Sequence, residues 1–93
     1  MKMDHVEGKK RGEVVLYALS TCVWCKKTRA LLGELGVDYF YTYVDLLSDA
    51  DKDRAEKEIT KWNPSSSFPT LVIDNKECII GYNPEEIRKR LGK

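Results

Sequence analysis

The chain has 93 residues, of which 42% are hydrophobic and 33% are charged, and its formal net charge at pH 7 is +1. A chain of this length forms one domain. The balanced charge gives no electrostatic argument for a nucleic-acid partner, and no apolar run approaches the length of a membrane span. We therefore expect a soluble globular monomer that binds neither nucleic acid nor membrane.

The first twelve residues are polar, contain two glycines and lack hydrophobic periodicity. They predict a disordered N-terminal tail over residues 1–12, followed by a folded domain over residues 13–93. The tail has no apolar segment of the kind that a secretory signal peptide needs. A cytoplasmic location, where thiols remain reduced, is therefore expected.

A Cys-x-x-Cys pair lies between the first two predicted elements. The apolar run Glu13–Ala18 predicts a buried strand, and the apolar period of about 3.6 that follows the pair predicts a helix over Val23–Leu35. Gly36 is suited to end this helix in the left-handed conformation. Strand, Cys-x-x-Cys and helix in this order are typical of a thioredoxin-like redox motif.

Cys22 and Cys25 are the candidate catalytic residues. A helix start offers free N–H groups and the positive end of the helix dipole, which favour the thiolate of Cys22, the nucleophilic form. Cys25 lies one turn further on and should be shielded, in position to attack a mixed disulfide on Cys22. Trp24 is expected to contact a partner. A static disulfide and half of a zinc site stay open as alternatives, and Cys78 and His5 are the remaining zinc ligands.

Three strands and a helix are predicted next. The aromatic-rich segment Val37–Asp45 predicts the second strand. A second helix is predicted from Ser48, which precedes several acidic residues, to Asn63–Pro64. Thr70–Ile73 and Glu77–Ile80 are separated by three residues and predict an antiparallel hairpin.

The last predicted helix completes the element order β-α-β-α-β-β-α. It should begin after Asn83, a favourable N-cap, with Pro84 at its first position and Gly92 after its end. Alternating strands and helices favour parallel pairing, to which the hairpin adds an antiparallel strand. The predicted fold class is α/β, with a four-stranded mixed sheet and helices on both faces.

The sequence resembles the glutaredoxin branch of the thioredoxin superfamily over residues 13–91. Three segments carry the resemblance: Thr21–Lys26, Ser67–Thr70 and Ile80–Ile87. The resemblance implies a thioredoxin fold, a nucleophilic Cys22, a resolving Cys25 and a cis Pro69. It also implies a set of substrate-binding residues: Thr21, Val23, Trp24, Lys26, Ser67, Phe68, Pro69, Gly81 and Tyr82. A cis peptide there would expose the backbone N–H and C=O of Phe68 to an extended substrate.

Two positions differ from glutaredoxins that use glutathione. Those proteins usually carry a basic residue three positions before the first cysteine, where this chain has Leu19. They usually carry Gly-Gly and a nearby Asp after the fourth strand, where this chain has Gly81–Pro84. That run is most similar to the glutaredoxin-like electron donors of ribonucleotide reductase. The resemblance thus implies a dithiol donor that reduces protein disulfides, with ribonucleotide reductase as a candidate target and a thioredoxin-reductase-type protein as the reductant.

Three other functions stay open at this point. The first is a glutathione-dependent glutaredoxin that removes glutathione from mixed disulfides, and the second is an iron–sulfur cluster carrier. The third is a non-catalytic interaction domain with this fold. No tightly bound cofactor and no metal are expected, and glutathione is the weaker of the two reductant hypotheses. The remaining thiol, Cys78, is expected to act as a small buried hydrophobe in the fourth strand.

Overall fold

The computed structural model describes residues 3–92, in which five strands, three α-helices and one short 3-10 turn are formed. In chain order these elements are β1 (Asp4–Val6), β2 (Val14–Ala18), α1 (Val23–Leu35), β3 (Tyr39–Tyr43), the 3-10 turn (Val44–Leu46), α2 (Asp49–Trp62), β4 (Thr70–Ile73), β5 (Glu77–Ile80) and α3 (Pro84–Leu91). No helix within this range is both long and apolar enough to cross a membrane.

The five strands form one mixed sheet in the order β1-β3-β2-β4-β5. β2 and β3 pair in parallel, whereas β1 with β3, β2 with β4, and β4 with β5 are antiparallel pairs. The carboxyl ends of β2, β3 and β5 therefore meet at one edge of the sheet, which we call the carboxyl edge. Each of the three α-helices follows one of these strands, so all three helices begin at the carboxyl edge.

Apolar side chains are buried on both faces of the sheet, which confirms the predicted α/β class with helices on both sides. On one face Leu16 packs with Leu32 of α1 and Ile87 of α3, and all three are fully buried. On the other face Tyr17 packs with Ile59 of α2. Successive residues of β2 thus point to opposite faces, as the pleat of a strand requires.

The helix boundaries follow their predicted capping residues. Gly36 ends α1 with a left-handed backbone at φ 68°. Ser48 is the N-cap of α2 and accepts a hydrogen bond from the Asp51 N–H, and Asn83 caps α3 with Pro84 at the first position. The second predicted strand is shorter than expected. It ends at Tyr43 because the next three residues turn into the 3-10 segment.

Two predictions about the N-terminus are wrong for the residues that the structure describes. Residues 4–6 form a strand instead of belonging to a disordered tail, and the sheet therefore has five strands instead of four. The Lys9 N–H also donates to the Gly36 carbonyl at 2.8 Å, and the Asp38 N–H donates to the Lys9 carbonyl at 2.9 Å. Residues 1 and 2 of the predicted tail lie outside the described residues.

A side-chain contact fixes β1 to the neighbouring strand. His5 Nε2 lies 2.9 Å from both carboxylate oxygens of Asp38, and its ring stacks on Phe40 with 4.5 Å between centroids. The His5 hydrogen bond, with a further one from the Gly8 N–H, holds the pKa of the Asp38 carboxyl below its usual value. The N-terminal segment is therefore built into the edge of the domain.

Gly8 approaches the turn between α1 and β3 so closely that a side chain does not fit. A Cβ at position 8 would lie 2.6 Å from the Gly36 oxygen and 2.6 Å from the Val37 carbonyl carbon. We expect Gly8→Ala to lower the free energy of unfolding by about 1–2 kcal/mol in urea denaturation, because the backbone must shift.

The matched control is Gly33→Ala on α1, where an added Cβ meets nothing within 4 Å. It should raise stability by about 0.5–1 kcal/mol, since alanine is the better helix former. If Gly8→Ala were as stable as the unsubstituted protein, the N-terminal segment would not be attached in solution.

Candidate active site

Cys22 is the N-cap residue of α1, at the carboxyl edge of the sheet. Its backbone is extended, with φ −90° and ψ 117°, and its Sγ accepts a hydrogen bond from the Cys25 N–H at 3.1 Å. Its own N–H closes a tight turn by donating to the Leu19 carbonyl at 3.3 Å. The sulfur thus lies where a helix start presents N–H groups to an anion.

Cys25 lies directly behind Cys22 and is only 1% exposed, which confirms that it is shielded. Burial is the main cause that raises the pKa of the Cys25 thiol to about 12, and a hydrogen bond with the Cys22 sulfur adds to the effect. At neutral pH Cys25 is therefore a thiol. Cys22 is half-buried, so it is the member of the pair that a substrate can reach, and both sulfurs are free.

The loop that carries Cys22 is fastened to the neighbouring strand by a contact that the sequence analysis did not predict. Asp45, two residues after β3, accepts a hydrogen bond from the Ser20 N–H at 2.9 Å and another from the Ser20 hydroxyl. These two bonds lower the pKa of the Asp45 carboxyl. The predicted topology could have indicated this contact, because Ser20 and Asp45 follow two neighbouring parallel strands, β2 and β3.

The Phe68–Pro69 peptide bond is cis, as the family resemblance implied. The Pro69 carbonyl accepts a hydrogen bond from the Gly81 N–H at 2.8 Å, which joins two of the predicted substrate-binding segments. Asn63, which was not predicted as a site residue, is 1% exposed and holds this loop. Its side-chain amide donates to the carbonyl and hydroxyl oxygens of Ser67 at 3.1 and 2.9 Å.

An aromatic pair lies on the α3 side of Cys22. The rings of Trp24 and Tyr82 stack with 5.9 Å between centroids, and Lys27 Nζ lies 4.9 Å from the Trp24 ring centroid. With Phe68 and Gly81 the two rings line a shallow cleft of about 230 Å³. Four of the predicted substrate-binding residues therefore meet in one place, although they come from three separate segments of the chain.

The other predicted substrate-binding residues differ in their exposure. Thr21, Val23 and Lys26 are exposed around Cys22, and Val23 is 61% exposed. Pro69 is buried at the start of β4. Ser67 is exposed, but its carbonyl and hydroxyl are already engaged by the Asn63 amide.

The third cysteine and the single histidine lie far from the Cys22–Cys25 pair and from each other. Cys78 is half-buried on β5, where its thiol donates to the Trp62 carbonyl at 3.3 Å, whereas His5 is on β1. β1 and β5 are the two opposite edge strands, so neither residue can complete a zinc site with Cys22 and Cys25. Within residues 3–92, no three His, Cys, Asp or Glu side chains converge as metal ligands.

Comparison with known proteins identifies the group to which this site belongs. The family model for glutaredoxins matches residues 14–79. The chain belongs to the glutaredoxin family. Glutaredoxins are thiol–disulfide oxidoreductases, and the chain is an enzyme of this class.

Two solved structures resemble the chain over almost its whole length. The glutaredoxin from Methanosarcina mazei Go1 is 48% identical, with a TM-score of 0.92, and the match covers 100% of this chain and 90% of that one. The methanoredoxin of Methanosarcina acetivorans is 49% identical, with a TM-score of 0.90, over 92% and 90% of the two chains. The sheet and helices described above are thus a thioredoxin-like fold of the glutaredoxin type.

A third solved structure shares the fold at a much lower sequence identity. The glutaredoxin-like protein NrdH-redoxin from Escherichia coli is 18% identical over 83% of this chain and 92% of its own, with a TM-score of 0.61. Similarity at this level of identity establishes a shared fold and nothing more. The predicted likeness to electron donors of ribonucleotide reductase stays a prediction.

Proposed function

We propose that this member of the glutaredoxin family reduces protein disulfides through a dithiol cycle, with Cys22 as the nucleophile and Cys25 as the resolving thiol. One observation carries the proposal. The Cys22 sulfur accepts a hydrogen bond from the Cys25 N–H at 3.1 Å. Cys25 itself is buried next to it. A substrate therefore meets Cys22 first, and the neighbouring Cys25 thiol can then attack the Cys22 sulfur.

The cycle consists of two thiol–disulfide exchanges. The Cys22 thiolate attacks one sulfur of the target disulfide, forming a Cys22–target disulfide and releasing the other target sulfur as a thiolate. Cys25 then loses its proton and attacks Cys22 Sγ, which closes the Cys22–Cys25 disulfide and releases the second target thiolate. Two electrons pass from the enzyme to the target.

The environment of Cys25 fits this order of events. In the reduced enzyme, burial is the main cause that raises the pKa of the Cys25 thiol, and the hydrogen bond with the Cys22 sulfur adds to it. In the mixed disulfide, Cys22 Sγ is bonded to a target sulfur and cannot ionise, so its contribution to the raised pKa of Cys25 is removed. Cys25 is therefore easier to deprotonate at the step in which it must act.

The target is proposed to lie against the cleft that flanks Cys22. Trp24 and Tyr82 offer an aromatic surface there, and Phe68 lies where an extended chain would pass. Thr21, Val23, Lys26 and Gly81 are proposed to add contacts at its margin. Asn63 acts through Ser67 as a positioning residue for the loop.

A reductase protein is proposed to return the electrons, in preference to glutathione. Two observations support this. Glutaredoxins that use glutathione usually carry a basic residue at the position where this chain has the apolar Leu19. Two helices, α2 and α3, begin at the carboxyl edge near the site, and acidic residues occupy the first turn of each. These residues are Asp49 and Asp51 in α2 and Glu85 and Glu86 in α3. The two carboxylates of glutathione would meet like charges at these helix starts.

One observation favours glutathione as a second candidate reductant. Lys52 of α2 is half-buried and lines a groove with Leu19 and Phe68, where it offers a cation to a carboxylate. Glutathione would then form a mixed disulfide on Cys22, and a second glutathione would release it.

The two reductants are separated by reducing the Cys22–Cys25 disulfide in a Cys78→Ser background, so that two thiols are counted. We expect a thioredoxin reductase with NADPH to reduce the disulfide within minutes. We expect millimolar glutathione to leave most of it oxidised, as measured by thiol alkylation and mass spectrometry. Ready reduction by glutathione, with a glutathione adduct on Cys22, would reverse the assignment of the reductant.

A further inference from the structure

A second groove shares Phe68 with the cleft of Trp24 and Tyr82 and is lined by Leu19, three residues before Cys22. It has a volume of about 220 Å³ and lies between the loop after β2 and the inner face of α2. Its apolar lining consists of Leu19, Val44, Ile59 and Phe68. Its charged lining residues are Asp45 and, one helical turn apart on α2, Lys52 and Glu56.

We propose that this groove, which we call the Leu19 groove, receives a large apolar side chain that neighbours the target cysteine in a protein substrate. The proposal rests on the dithiol function proposed above and adds a substrate class to it. The site prefers polypeptides in which leucine, methionine or phenylalanine stands next to the cysteine that Cys22 attacks.

The position of the groove ties it to the reacting sulfur. The Leu19 carbonyl accepts the Cys22 N–H at 3.3 Å, so the groove wall and the nucleophile belong to the same tight turn. Phe68 lines both this groove and the cleft formed with Trp24 and Tyr82. A chain that brings its cysteine to Cys22 thus crosses Phe68 with the cleft on one side and the Leu19 groove on the other.

The charges around the groove favour an uncharged occupant. Lys52 and Glu56 line the groove together with the Asp45 carboxylate, whose pKa Lys52 helps to lower. Asp45 in turn accepts two hydrogen bonds from Ser20. The lining therefore holds one cation and two carboxylates beside four apolar side chains.

The size of the groove fits one side chain. An apolar cavity of about 150 Å³ accommodates a benzene ring, so about 220 Å³ is sufficient for a leucine, methionine or phenylalanine side chain. Glutathione places only glycine and a γ-linked glutamate beside its cysteine. The Leu19 groove thus gives protein substrates a contact that glutathione cannot make.

The test uses the reduced protein and a series of octapeptide disulfide dimers that differ only in one residue beside cysteine. Leu, Phe, Ser, Gly or Lys is placed before the cysteine in one set and after it in the other. We expect Leu and Phe on one side to raise kcat/KM about 10-fold over Gly through a lower KM, with no gain for Lys. Equal rates across both sets would overturn the proposal.

Two variants connect the preference to the groove. Leu19→Ser should reduce the ratio of the Leu-peptide rate to the Gly-peptide rate to about 2 or less. The control is Leu46→Ser, because Leu46 is 69% exposed on the adjacent turn but does not line the groove. It should keep the full ratio, and a retained ratio in Leu19→Ser would contradict the assignment.

The outcome also separates this inference from the dithiol function. If the peptides are all reduced at one rate, the Leu19 groove has no role in selection and the dithiol cycle stands. If no peptide disulfide is reduced at all, the proposed function itself fails. The peptide series needs no variant, so its result does not depend on whether Leu19→Ser folds.

Discussion

Cys22→Ser is expected to abolish disulfide reduction, with turnover on a protein disulfide falling by roughly 10³-fold or more. A serine hydroxyl is not ionised near neutral pH and cannot form the mixed disulfide that begins the cycle. Cys22 is also the accessible thiol of the pair, since Cys25 is only 1% exposed. The measurement is the initial rate of insulin-type disulfide reduction with the reductant in excess.

Cys78→Ser is the matched control for this loss. It removes one thiol from the same chain, but Cys78 lies on the outer strand β5 and its thiol donates to the Trp62 carbonyl. Its activity should remain within about 2-fold of the unsubstituted protein, as expected for a change remote from the site. Loss of activity in both variants, or substantial activity in Cys22→Ser, would contradict the role given to Cys22.

Cys25→Ser is expected to stop the cycle at the mixed disulfide. The first exchange needs only the Cys22 sulfur, so a covalent 1:1 adduct with the target should form at a normal rate. Its release should slow by roughly 10²-fold or more, because no second thiolate is available to attack Cys22 Sγ. Non-reducing electrophoresis and intact mass should detect the adduct.

The same variant distinguishes the two proposed reductants. In the absence of small thiols the adduct should persist, since the buried serine hydroxyl cannot displace a thiol. Release at the normal rate under those conditions would rule out Cys25 as the resolving group. If added glutathione restored full turnover to Cys25→Ser, the monothiol route would be available and the glutathione-dependent function would gain support.

The features that could be predicted from the sequence are those set by neighbouring residues. Gly36, Ser48 and Asn83–Pro84 mark helix ends because they act on backbone groups within a few positions of themselves. The location of Cys22 at a helix start follows from the same local chemistry. From these local features, an exposed Cys22 and a shielded Cys25 could be predicted at the carboxyl end of the first strand of the folded domain.

The features that escaped prediction depend on contacts between distant positions. β1 is three residues long, too short to show a hydrophobic period, and it forms only because β3 offers an unpaired edge and Asp38 a partner for His5. The Ser20–Asp45 contact spans 25 positions. From the sequence, Asn63 is only the residue that ends α2. Its second role depends on the folded loop, which brings Ser67 within hydrogen-bond distance of the Asn63 amide.

The most direct test of the dithiol assignment is an acid-quenched time course in which the reduced protein meets an equimolar protein disulfide. Peptide mass mapping follows the cysteines at each time. The account predicts a transient Cys22–target adduct, then loss of two hydrogens from the Cys22–Cys25 pair with release of one fully reduced target per enzyme. An enzyme that accumulates target adducts on Cys22 without ever forming the Cys22–Cys25 disulfide would contradict it.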